Sequence, residues 1–129
     1  MIEIIGTPKF ESKKTIEQIA HYCFKKFKID NNRIVEILFV NQNKMQELNF
    51  VHRKINRPTD VLSFPQSEIV SSGKQILGSI IICEEIGQKF AENDTDLVEH
   101  GFLHLLGYDH DTDIMEWDKA ESKIKQRSL

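Results

Sequence analysis

Long apolar runs are missing from this chain. No stretch approaches the ~20 residues that a membrane-spanning helix needs. The start, Met1-Ile2-Glu3-Ile4-Ile5-Gly6, has neither the basic lead nor the extended apolar core of a secretory signal. Cysteine is scarce: Cys23 and Cys83 are the two thiols, and both sit in apolar segments. Thiols in that setting are expected to be buried and reduced, which excludes a disulfide framework and fits a cytoplasmic protein. Repeats, low-complexity stretches and linkers are absent too, so the 129 residues are expected to form a single domain, 1–129. An excess of positive charge is also lacking, since the net charge is −3. The balance is uneven, however. Residues 1–57 carry 11 Lys and Arg against 6 Asp and Glu, a net of +5, whereas residues 58–129 carry 6 against 14, a net of −8. The N-terminal half can therefore offer a local positive face to phosphate.

What is present is a globular pattern, with 40% hydrophobic residues. Ile2 to Ile5 reads as a short strand that Gly6-Thr7-Pro8 breaks. Ile16, Ile19, Ala20, Cys23, Phe24 and Phe27 recur at helical spacing and predict an amphipathic helix over 13–28. Arg33 to Val40 is a buried strand. Asn41 caps a helix over about 42–52 that turns Met45 and Leu48 inward. A basic loop, Arg53 to Pro58, leads to a strand over 59–65, read as an edge because Pro65 closes it. Residues 66–75 form an exposed loop, Ile76 to Cys83 another buried strand, and 84–91 a short helix. Asn93-Asp94-Thr95 caps a helix over about 95–106. A last helix starts at Asp111 or Asp113 and runs to about 126, with Ile114, Trp117, Ala120, Glu121 and Ile124 along one stripe. This order predicts an α+β (mixed α/β) domain with a small mixed four-stranded sheet and helices packed on it.

Histidine is sparse as well, but three of the five fall within eleven residues: His100-Gly101-Phe102-Leu103-His104-Leu105-Leu106-Gly107-Tyr108-Asp109-His110. His100 and His104 are i and i+4 on a helix, with β-carbons ~5–6 Å apart, so both imidazoles can reach one ion. Gly107 allows the chain to leave through a left-handed turn, which can return His110 as a third ligand. Three imidazoles and an open fourth position make a catalytic rather than a structural zinc site. The spacing equals that of the metzincin proteases, H-E-x-x-H-x-x-G-x-x-H. Here Gly101 stands where the protease has its glutamate base, so the ligands are kept without the peptidase chemistry. The pattern predicts a zinc hydrolase with another substrate. Zinc is preferred because imidazole sites of this geometry commonly hold it.

A second motif accompanies the first: Leu48-Asn49, then Arg53, then Pro58-Thr59-Asp60-Val61-Leu62-Ser63-Phe64-Pro65. With both motifs present, the chain resembles the YbeY family of bacterial endoribonucleases and ribosomal RNA maturation factors, well over about residues 33–115 and loosely at the ends. The resemblance implies a metzincin-like metal helix and turn carrying one zinc on His100, His104 and His110. It implies metal-dependent cleavage of single-stranded RNA, with His100 and Arg53 as the residues the activity depends on. It further implies a role in ribosomal RNA processing, at the 3′ end of the small-subunit, 16S-type RNA, and in ribosome quality control, with small-subunit components as partners and no membrane. Two residues depart from the family's usual pattern. Ser79 stands where an aspartate is common, and His52 where a tyrosine often precedes the arginine.

Arg53 can hold two phosphate oxygens in a bidentate fork, and Lys54 and Arg57 can attract the RNA backbone. The general base is left open. Glu99 lies ~100° around the helix from His100 and is expected to point away from the metal. Asp60 or Asp109 is a candidate to hold a ligand imidazole in its tautomer. Attack by water and attack by the 2′-hydroxyl of RNA are both compatible with these residues.

Overall fold

Side-chain oxygens set the start of every described helix except the short one over Glu84–Lys89. The computed structural model describes residues 1–66, 75–108 and 113–125. In it the Ser12 hydroxyl accepts the Thr15 N–H at 3.1 Å and opens α1 (Lys13–Lys26). Asn41 accepts the Lys44 N–H at 2.8 Å and opens α2 (Gln42–Arg53). Asn93 does the same for the Asp96 N–H at 2.9 Å, starting α4 (Asp94–Leu105). Asp113 accepts the Glu116 N–H at 3.2 Å ahead of α5 (Ile114–Lys125). Each such cap satisfies an N–H that the helix itself cannot. The short α3 (Glu84–Lys89) lies between the last strand and α4.

The β-branched runs form one mixed sheet. Its strands are β1 (Ile2–Ile5), β2 (Arg33–Phe39), β3 (Val61–Pro65) and β4 (Gln75–Ile82). The order is β1-β2-β4-β3, with β1, β2 and β4 parallel and β3 antiparallel to β4 on the edge. The fold is thus the expected α+β arrangement. Strand β3 starts at Val61 rather than at residue 59, because the Asp60 carboxylate accepts the Val61 N–H at 2.8 Å and closes a turn there.

One irregularity decides which residues of β4 face which side. Ile34 pairs with Ile76, but Val35 pairs with Gly78, so Leu77 is an extra residue on β4. A bulge of this kind shifts the alternation by one. Leu77, Ile80 and Ile82 then share the face covered by α1, α4 and α5, while Ile81 joins Met45 of α2, Leu62, Cys83 and Ile86 on the other. Phe24 of α1 meets Phe102 of α4 edge to face at 5.9 Å in the larger core. Both cysteines are buried. On α5, Trp117, Ala120 and Ile124 are buried as expected, but Ile114 is exposed, since it stands at the first residue of the helix, one turn before the packed stripe. No helix among the described residues is long and apolar enough to cross a membrane.

Candidate functional site

The seat of α4 on the sheet depends on a missing side chain. A β-carbon at Gly101 would stand 2.5 Å from Ile80 Cγ2 and 2.9 Å from Ile80 Cδ1. Glycine therefore brings the helix close to β4, and the Ser63 hydroxyl of β3 donates to the Gly101 carbonyl at 3.4 Å. With that face pressed on the sheet, His100 and His104 line a cleft at the β3 edge. Their Nε2 atoms stand 3.1 Å apart and their rings 4.8 Å apart. Two nitrogens bound tetrahedrally to zinc at ordinary bond lengths are separated by about 3.4 Å, so this pair suits a shared ion. Trp117 of α5 backs both rings, at 4.8 Å from His100 and 5.1 Å from His104.

The helix ends as its glycine predicts. Gly107 has φ of +91°, its N–H bonds to the His104 carbonyl at 3.1 Å, and the Tyr108 N–H bonds to the Leu103 carbonyl at 3.0 Å. That is the Schellman pattern of a left-handed helix exit. His110 and Asp109 lie outside the described residues. Among the described residues, no group of three or more His, Cys, Asp and Glu side chains is arranged to hold a metal ion.

The facing wall comes from α2 and the loop after it. Lys54 turns left-handed, with φ of +62°, and its N–H bonds to the Phe50 carbonyl at 3.0 Å, so the helix stops just past Arg53. Asn49 is buried and its amide donates to the Arg57 carbonyl at 2.9 Å, which ties the basic loop to the helix. Arg53 is exposed and lines the cleft together with residues 59–65, His100 and His104. The cleft encloses about 550 Å³. Lys54 and Arg57 are exposed beside it.

Asp60 also lines the cleft, and among the described residues its carboxylate bonds to its neighbours in the chain. Its Oδ1 accepts from the Thr59 hydroxyl at 3.3 Å and from the Val61 N–H at 2.8 Å. It further shares a hydrogen bond with Glu92, whose carboxyl is pushed up to about 7 by that bond, by burial and by the charges of Asp60 and Asp96. Glu99 lines a second hollow of about 200 Å³ with Glu92, Asp96, Glu121 and His100, and His100 borders both hollows. Sequence reasoning missed the Trp117 backing and the Asp60–Glu92 pair. The first had a signal in a lone tryptophan on an apolar stripe, and the second had none.

A family model described as endoribonuclease YbeY matches residues 3–128. The chain belongs to the YbeY family. Among its YbeY relatives, the endoribonuclease YbeY of Sulfurimonas denitrificans is 40% identical over 119 residues, covering 86% of this chain and 78% of that protein. That of Aliarcobacter butzleri is 35% identical over 139 aligned positions, covering 100% of this chain and 89% of its own. The solution structure of TM1509 from Thermotoga maritima is 30% identical, with a TM-score of 0.58 over 97% of this chain and 87% of that one.

Proposed function

We propose that this chain is a zinc-dependent endoribonuclease that cuts single-stranded RNA. The reading rests on one observation: two imidazoles whose Nε2 atoms converge to 3.1 Å line the same cleft as Arg53. His100 and His104, with His110, would hold one zinc per chain. When bound, the ion supplies Lewis acidity and makes a nucleophile available at neutral pH. Arg53 grips the phosphate that is attacked, through two parallel N–H bonds to its oxygens. Lys54 and Arg57 hold flanking phosphates, so binding weakens with added salt. Trp117 behind the imidazoles and Ile80 beneath Gly101 fix where the histidines point.

In the cell, the chain acts in the cytoplasm on ribosomal RNA, trimming the 3′ end of the small-subunit RNA and serving ribosome quality control alongside small-subunit components. Residues 1–129 work as one catalytic domain. The test is cleavage of a labelled single-stranded RNA and of its duplex, before and after chelation and with zinc restored. Cleavage of the single strand that stops on chelation and returns with zinc is expected. Cleavage indifferent to the chelator would remove the metal from the reaction.

A further inference from the structure

Two aromatic rings stand at the Arg53 end of the cleft. Phe64 of β3 lines the cleft itself and is half-buried. His52 precedes Arg53, is exposed, and packs its ring on Phe64 at 4.6 Å between centroids with 46° between planes. Both rings are held by fixed parts of the fold. His52 belongs to the last turn of α2, before the left-handed Lys54. Phe64 is anchored beneath by the cluster of Met45, Leu62, Ile81, Cys83 and Ile86. The packing needs of that cluster account for Phe64, but not for an exposed imidazole laid on it.

We infer that His52 and Phe64 form a stacking subsite for one nucleobase of the RNA, next to the phosphate held by Arg53. The inference rests on the ribonuclease reading above. Unpaired RNA offers bases whose faces are open, and proteins take them up on Phe, Tyr, Trp and His rings. A cleft of about 550 Å³ has room for a nucleotide as well as the histidine pair, since clefts for small ligands run from about 300 to 1,000 Å³. Stacking accepts any base, so the subsite sets strandedness rather than sequence. A base within a duplex is already stacked on its neighbours and cannot enter the corner. The subsite therefore gives a physical reason for single-strand preference that neither the histidines nor Arg53 supply, because phosphates are present in both forms.

The test compares wild type, His52→Ala, His52→Tyr and Phe64→Leu on one single-stranded RNA, with kcat and KM measured separately. Quenching of 2-aminopurine placed along the same RNA reports stacking directly. Loss of one base stack predicts that His52→Ala raises KM about tenfold at nearly unchanged kcat. It also predicts that His52→Tyr restores KM, and that quenching falls in the alanine variant but not in the tyrosine one. Phe64→Leu, which keeps the apolar volume without a ring, is expected to match His52→Ala. An unchanged KM and unchanged quenching in His52→Ala, or a tyrosine variant as poor as the alanine one, overturns the subsite while leaving the nuclease intact. If wild type itself fails to cut RNA, the ribonuclease reading fails, and the subsite falls with it.

Discussion

The two walls of the cleft are made differently. The histidine wall is one side of a helix packed against β4 and backed by Trp117, so its geometry is inseparable from the core. The arginine wall consists of exposed side chains at the end of α2, placed by a left-handed residue and by the Asn49 hydrogen bond to the Arg57 carbonyl. Such a difference separates two kinds of damage. Changes beneath the histidines strike fold and chemistry together. Under the proposed reading, changes at Arg53 strike chemistry alone, since an exposed side chain away from special features contributes little to stability.

The largest expected effect comes from the residue under the histidine wall. Gly101→Glu, which puts back the glutamate of the protease spacing, forces a charged side chain into space that Ile80 already fills. Overpacking and an unpaired buried charge together cost upwards of about 4 kcal/mol, a large share of a small domain's stability, so the urea midpoint should fall steeply. A variant that melts like wild type would mean that α4 does not lie so close to the sheet. On the other wall, Arg53→Ala should lower kcat/KM by about 10²–10³-fold, the loss typical of one donor aimed at transition-state charge, with the melting temperature essentially unchanged. A fall in stability that tracks the fall in activity would erase the contrast between the walls.

The smallest expected effect is one of pH, and it again falls on the histidine side. Asp94, in the first turn of α4, is raised from 3.8 to about 8, by burial first and then by the hydrogen bond and charge of Glu84, with Glu11 adding repulsion. Glu84 is buried and accepts the N–H groups of Lys9 and Phe10 at 2.9 Å, which fixes its carboxyl group in place beside Asp94. The folded chain therefore keeps a proton that the unfolded chain releases at low pH. The stability this gives is complete below about pH 4 and is lost as pH rises through about 8. Asp94→Asn keeps a hydrogen-bond donor and removes the titration. Urea melts should show the variant gaining about 1–2 kcal/mol on wild type between pH 5 and pH 8.5. A difference that does not vary with pH would show that Asp94 is ionised alike in both states.

Much of the histidine wall was legible in the sequence because its signals are local. The i, i+4 spacing, the asparagine cap and the left-handed glycine all lie within fifteen residues of one another, and the structure brings them out as α4 and its exit turn. The strands were legible from β-branched runs. Sheet order was not, since β2 pairs with β4 across two intervening elements. The extra residue Leu77 was also hidden, because an unbroken apolar run gives no sign of where alternation slips. Gly101 was read for the base it lacks, whereas its contact with Ile80 shows a packing need that no neighbouring residue announces. The pairing of Asp60 with Glu92 had no sign in the sequence, because Glu92 lies far along the chain and reaches Asp60 only through the fold.

The most direct measurement is cleavage of a single-stranded RNA by wild type and His104→Ala purified in parallel, with zinc content determined on both. A metal-centred ribonuclease gives cleavage and about one zinc per chain in wild type, and neither in the variant, although the variant still melts cooperatively. Equal cleavage by the two proteins, or cleavage by a variant without zinc, would contradict the placing of the chemistry at His100 and His104.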